Sequence, residues 1–141
     1  MTDRLTLAAL ALLAGTTAAA PVPKAIKRKP ADGAEIVGLW VTRPADTTGW
    51  VFRGDGTAGV GDPVNPSCKA IYKLDPAQTP KHLDWSQDGG KTWYLGIYEV
   101  DGDVLKINFG GGGSGIRPTV LGPNTGFQWV TGTRKEGYGK P

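Results

Sequence analysis

Tyr94-Leu95-Gly96-Ile97-Tyr98-Glu99-Val100-Asp101-Gly102-Asp103-Val104-Leu105-Lys106-Ile107-Asn108-Phe109 reads as two strands joined by a turn. Asp-Gly between alternating apolar runs is the preferred chemistry of a two-residue type I′ hairpin. With Asp101 and Gly102 as the turn, Val100 faces Asp103, and counting back pairs Tyr98 with Leu105, Gly96 with Ile107 and Tyr94 with Phe109. The six residues of these last three pairs share one face. The other face carries Leu95, Ile97, Glu99, Val104, Lys106 and Asn108 and is more polar, so the first set is expected to point into a core.

Outward from this hairpin the texture stays strand, turn, strand. Gly54-Asp55-Gly56-Thr57 repeats the Asp-Gly signal, and the alternating runs place strands at 36–43, 50–53, 57–60, 68–74, 82–86, 92–100, 103–109 and 127–133. No segment after residue 20 sustains an apolar period of 3.6, so little helix is expected. The fold class predicted is all-β: about eight short antiparallel strands closing into an up-and-down barrel, with a half-open barrel or a small β-sandwich as alternatives. Alternation also sends Cys68, Ala70, Tyr72 and Leu74 inward, with Cys68 as a buried small hydrophobe, and Phe127 and Trp129 inward on the last strand. A barrel of eight strands is just wide enough to be filled by side chains or to hold one small ligand. Gly96 opposite Ile107 leaves space inside, so Tyr72, Tyr94, Gly96, Tyr98, Leu105 and Ile107 are the candidate ligand-lining residues.

The remainder of the chain bounds where such a barrel works. Residues 1–20 read as a secretory signal: Arg4 beside the free amino terminus, an apolar run from Leu5 to Ala14, then the small residues Gly15 to Ala20. The run is too short to span a bilayer, so no transmembrane segment is expected after cleavage. Residues 21–34 mix three prolines with Lys24, Lys27, Arg28 and Lys29 and read as an extended basic linker, leaving 35–141 as the β-domain. The formal charge of +3 arises in that linker. Residues 30–141 sum to about −1 with groups at their ordinary pKa values, and the absence of a basic stripe argues against a nucleic-acid partner. Cys68 is the single cysteine, so no intramolecular disulfide can form and the sheet itself must supply stability. The location implied is periplasmic or extracellular.

Few motifs carry chemistry. Ser86-Gln87-Asp88-Gly89-Gly90-Lys91-Thr92-Trp93 matches the Asp-box turn of sialidases and other β-propellers, but one box and eight strands cannot make a propeller. Asp88 is therefore expected to brace a hairpin, as are Asp101 and Gly102 in theirs. Gly110 to Gly115 contains G-x-G-x-x-G, yet Pro118 and Pro123 interrupt the helix that a dinucleotide site needs, and the stretch reads as a flexible loop. His82 is the sole histidine and has no companion at metal-ligand spacing. No metal, cofactor or catalytic residue is assigned, and a non-enzymatic module is expected.

Tyr72-Lys73-Leu74-Asp75-Pro76, Pro80-Lys81-His82-Leu83-Asp84, Gly96-Ile97-Tyr98-Glu99-Val100-Asp101-Gly102-Asp103-Val104-Leu105-Lys106-Ile107 and Arg117-Pro118, in that order, resemble an uncharacterised planctomycete-type domain family with lipocalin-like character. The resemblance spans about residues 36–134 and includes Gly38-Leu39-Trp40, similar to the first-strand Gly-x-Trp of lipocalins. Asn108 stands where many members have Cys. The resemblance implies a lipocalin-like barrel, an export signal, and a Trp40 core anchor covered by Arg134 through a stacked cation–π contact. For an exported barrel of this kind the first expectation is reversible binding of a small apolar or amphipathic molecule, and the alternative is docking to an envelope component through the outer surface of a filled barrel.

Overall fold

The computed structural model describes residues 33–138. A short 3-10 turn, Ala34–Ile36, leads into eight strands: β1 Gly38–Val41, β2 Gly49–Phe52, β3 Thr57–Gly61, β4 Pro66–Asp75, β5 Lys81–Ser86, β6 Tyr94–Asp101, β7 Val104–Phe109 and β8 Gln128–Arg134. Each pairs antiparallel with the next, and β8 returns to β1, so the sheet is a closed up-and-down barrel without an unpaired edge. The signal and all of the basic linker before Gly33 lie outside the described residues. Gly33 and Ala34, read as the end of the linker, belong instead to the 3-10 turn that packs on the barrel, where Ile36 is fully buried.

The β6–β7 hairpin keeps the predicted faces but not the predicted partners. Asp101 pairs with Val104, Tyr98 with Ile107 and Gly96 with Phe109. The loop residues are Gly102 and Asp103, with φ of +58° at Gly102, so glycine takes the first central position, as in a type II′ turn. The pairing has slid by two residues, and because strand side chains alternate with period two, a slip of two leaves every side chain on its expected face. The β2–β3 connection, by contrast, is not a two-residue turn. Arg53 and Thr57 close a three-residue loop in which Gly56 adopts φ of +85° and its amide returns to the Arg53 carbonyl.

One cluster fills the interior: Ile36, Trp40, Phe52, Ala58, Ala70, Leu83, Trp85, Tyr98, Leu105, Ile107 and Phe109, with Trp50, Tyr72, Tyr94 and Val130 packed against it. Aromatic rings occupy the middle. Trp50 and Trp85 have centroids 5.1 Å apart, and both approach Phe109 at 6.1 and 6.3 Å, the offset and tilted arrangements that ring quadrupoles favour. On β8 the expectation for Trp129 reverses. Ile107 pairs with Val130 and Asn108 with Trp129, which puts Val130 inside and Trp129 on the outer wall. Phe127 is likewise outside, bordering a groove with Val120. The cause is the ladder: Arg134 must face Trp40, and its parity assigns the inside to Val130 rather than to the larger apolar residues beside it.

Candidate functional site

At one end the barrel is shut. Trp40 is 1% exposed and its indole nitrogen donates to the Ile36 carbonyl at 2.8 Å. The Arg134 guanidinium lies over the Trp40 ring, 4.2 Å from its centroid, and donates to the backbone carbonyls of Val37, at 2.6 Å, and Glu35. Gly38 makes this possible twice over. Its φ of +143° suits glycine, and a Cβ built there would lie 2.8 Å from Arg134 Nη1. Glu35 completes the seal through an ion pair of 2.7 Å to Lys81 on β5. Burial pushes the Glu35 carboxyl up, but the Lys81 hydrogen bond and charge, with backbone N–H groups, outweigh it and leave the pKa lowered.

The candidate ligand-lining residues all sit on the interior face, and there they pack against one another. Tyr98, Leu105 and Ile107 are almost fully buried. Tyr72 stacks edge-on to Phe52 and its hydroxyl donates to the Arg53 carbonyl at 2.5 Å. The space expected at Gly96 is taken. Its partner across the ladder is Phe109, and a Cβ on Gly96 would lie 2.7 Å from the Phe109 ring and within 3 Å of the Leu83 and Asn108 carbonyl oxygens. Cys68 does face inward, but it is only partly buried.

The outer wall is where the molecule departs most from the sequence reading. Ile97 and Asn108, on the face expected to meet solvent, are both 0% exposed. The segment between β7 and β8 covers them. Asn108 Nδ2 donates to the Gly122 carbonyl at 2.9 Å and to Thr125 Oγ1 at 3.1 Å, while its Oδ1 accepts from the Gly122 amide at 2.8 Å. Arg117 reaches back to the sheet, donating to the Gly96 carbonyl at 2.6 Å and lying 2.7 Å from Asp84 Oδ1 as an ion pair. Pro118, on the strap these contacts make, is fully buried. Its glycine-rich start, residues 111–115, is exposed loop, and the pinned part begins at Arg117. The missed signal was a polar Asn108 between Ile107 and Phe109 together with Arg117, Pro118, Leu121 and Phe127 in the following loop.

Along the strap, Ile116 and Val120 are 58% and 64% exposed. Leu121 turns toward a groove of about 470 Å³ at the shut end, whose walls are Pro76, Ala77 and Pro80 from the β4–β5 loop and Val100 from β6. Lys81 and Glu99 stand at its polar rim, and Tyr98 alone of the six candidate residues borders it. His82 lies on the outer face of β5, paired with Asp75 and Ile97.

The β5–β6 turn shows Asp88 in its bracing role. Its carboxylate accepts from the Thr92 amide and from the Ser86 hydroxyl, each at 2.8 Å, and Ser86 accepts from the Gly90 amide at 2.9 Å. The Thr92 amide and hydroxyl, then Ser86, hold the Asp88 pKa down to about 2. A carboxyl lowered in the folded state lends stability above its unfolded pKa and loses it as pH falls, here between about 4 and 2. Lys73 stacks on Trp93 of the same turn, 4.4 Å from the ring centroid. Among the described residues no group of three or more His, Cys, Asp or Glu is placed to hold a metal ion, and no helix is long and apolar enough to cross a membrane. Comparison with family models, curated proteins and solved structures finds no match to this chain.

Proposed function

We propose that this chain is an exported, non-enzymatic docking module of lipocalin-like design, a solid barrel that engages an envelope component through its outer wall. The observation that supports the reading is the filled interior. Residues that would line a ligand cavity are in van der Waals contact with one another, and the glycine that would open a cavity lies under Phe109. What the molecule offers a partner is outside: a strap pinned to the wall by Asn108 and Arg117 with Ile116 and Val120 turned to solvent. Export rests on the signal-length apolar run from Leu5 to Ala14 and its small-residue flank. The lipocalin-like assignment rests on Gly38-Leu39-Trp40 with Arg134 stacked on the tryptophan.

Two measurements test this. Native and denaturing mass spectrometry of the isolated protein should give the same polypeptide mass, with no small molecule released. Co-sedimentation with envelope fractions should retain the wild-type chain and lose Ile116→Ser/Val120→Ser, whose unfolding midpoint should be unchanged because both positions are exposed. Release of a stoichiometric small molecule would return the protein to reversible ligand binding, and equal sedimentation of the variant would remove the strap from the docking surface.

A further inference from the structure

Three Asp-Gly bonds lie within the barrel, Asp55-Gly56, Asp88-Gly89 and Asp101-Gly102, and the fold treats them differently. In an Asp-Gly bond the amide of the second residue can reach the side-chain carboxyl of the first, because glycine has no Cβ to obstruct the approach. The reaction needs a carboxyl free to turn and to protonate, and an amide free to attack.

Two of the bonds are held away from it. Asp55 Oδ1 accepts from the Thr57 amide at 2.9 Å and from the Thr57 hydroxyl at 2.6 Å, while the Gly56 amide donates to the Arg53 carbonyl at 3.2 Å. Asp88 Oδ1 accepts from the Ser86 hydroxyl and the Thr92 amide, and its carboxyl stays ionised until pH falls to about 2. The Asp101-Gly102 bond has no such restraint. Asp101, Gly102, Asp103 and Val104 are all exposed, and neither the Asp101 carboxyl nor the Gly102 amide makes a hydrogen bond among the described residues. A Cβ built on Gly102 would meet nothing within 4 Å, so the turn has room to rearrange. It is also the end of a hairpin, where a ladder opens locally at least cost.

We propose that Asp101-Gly102 is the barrel's site of aspartate isomerisation. The Gly102 amide nitrogen bonds to Asp101 Cγ as the Cγ–OH bond breaks, and the amide hydrogen and that hydroxyl leave together as water. Water then opens the cyclic imide at Cγ, which restores aspartate, or at the backbone carbonyl carbon, which leaves isoaspartate with the chain running through Cβ. No other reactant is consumed. The product adds one backbone carbon at the residue that pairs with Val104. The same turn holds the end of β8: the Asp103 carbonyl accepts from the Arg134 amide at 2.8 Å, and the Asp103 carboxylate lies 3.6 Å from Arg134 Nε. Isomerisation therefore loosens the barrel beside Arg134. The inference is independent of the docking function.

The test ages the isolated chain at mildly acidic pH and maps isoaspartate by proteolysis and electron-transfer fragmentation. In the folded protein it should accumulate at residue 101 at least about tenfold faster than at 55 or 88, where two hydrogen bonds must open first. In denaturing urea the three rates should converge, and Thr57→Val should raise the rate at residue 55. Asp101→Glu serves as the aged control, since its longer side chain closes the ring poorly. The amides of Val104 and Arg134 should exchange faster in the aged wild type than in aged Asp101→Glu. Equal rates at the three bonds of the folded barrel, or a faster rate at 55 or 88, overturn the proposal. Unchanged exchange at Val104 and Arg134 in isoaspartate-containing protein overturns the loosening.

Discussion

Gly96 separates two kinds of barrel. In sequence it marks a gap on the interior face, since two large residues facing each other would close a space that glycine and isoleucine leave open. In the structure the gap belongs to Phe109, whose ring lies over the glycine, an arrangement that protects the backbone of a strand glycine with an aromatic from the neighbouring strand. Two of the three atoms that an added Cβ would meet are backbone oxygens, of Leu83 and Asn108, and backbone does not rotate away. Gly96→Ala is therefore expected to destabilise by about 1–3 kcal/mol through overpacking, read as a lowered urea midpoint with an unchanged slope. An alanine variant as stable as the wild type would mean that the interior has slack and would reopen a cavity. The interior residues of β4, β6 and β7 were legible from alternation, while on β8 the inside falls to Val130 rather than to Phe127 and Trp129. Whether they enclose space was not, because that depends on which residue faces Gly96, and a slip of two along the ladder changes the partner without changing the face.

Among the elements, strands and connections differ in how much of themselves they write into local sequence. The eight strands follow from alternation bounded by glycine, proline and aspartate, and their order follows from short turns. The strap between β7 and β8 has no period to read. It is held by contacts that span the sequence: Asn108 to Gly122 and Thr125, and Arg117 to Asp84 and Gly96. Asn108 is the pivotal member, since its side chain, itself fully buried, satisfies both an amide and a carbonyl of Gly122. Asn108→Ala should strip that amide of its partner and leave the carbonyl only its long bond from the Thr125 hydroxyl, at a cost of about 1–3 kcal/mol. Hydrogen exchange would localise the damage. The Gly122 amide and the amides of residues 95–97 beneath the strap should lose protection while the β2–β3 hairpin keeps its own. Uniform loss over the barrel would make Asn108 a general core residue rather than a clamp.

The whole barrel closes at its shortest seam. β6 with β7 and β7 with β8 each align six residue pairs, whereas β1 meets β8 at two, Trp40 with Arg134 and Val41 with Thr133. A ladder that short supplies few backbone hydrogen bonds, so closure must draw on side chains, and Arg134 is placed to supply them. Its guanidinium binds two carbonyls of the segment that precedes β1 and covers the ring of Trp40, so one residue of the last strand fixes the first strand and the 3-10 plug together. Lysine has the charge but not the planar fork that reaches two carbonyls at once. Arg134→Leu should cost about 2–4 kcal/mol, from charged hydrogen bonds net of desolvation and a desolvated cation–π contact. Arg134→Lys should recover only part of that loss. The measurement that distinguishes closure from simple packing is where protection fails. If Arg134 closes the barrel, the amides of β1 and of Ile36 should exchange faster in Arg134→Leu, while β4, β5 and β6, which lie across the barrel from the seam, keep wild-type protection at low denaturant. A variant that loses protection evenly over all eight strands would show a barrel that opens only as a whole, with the short seam no weaker than the others.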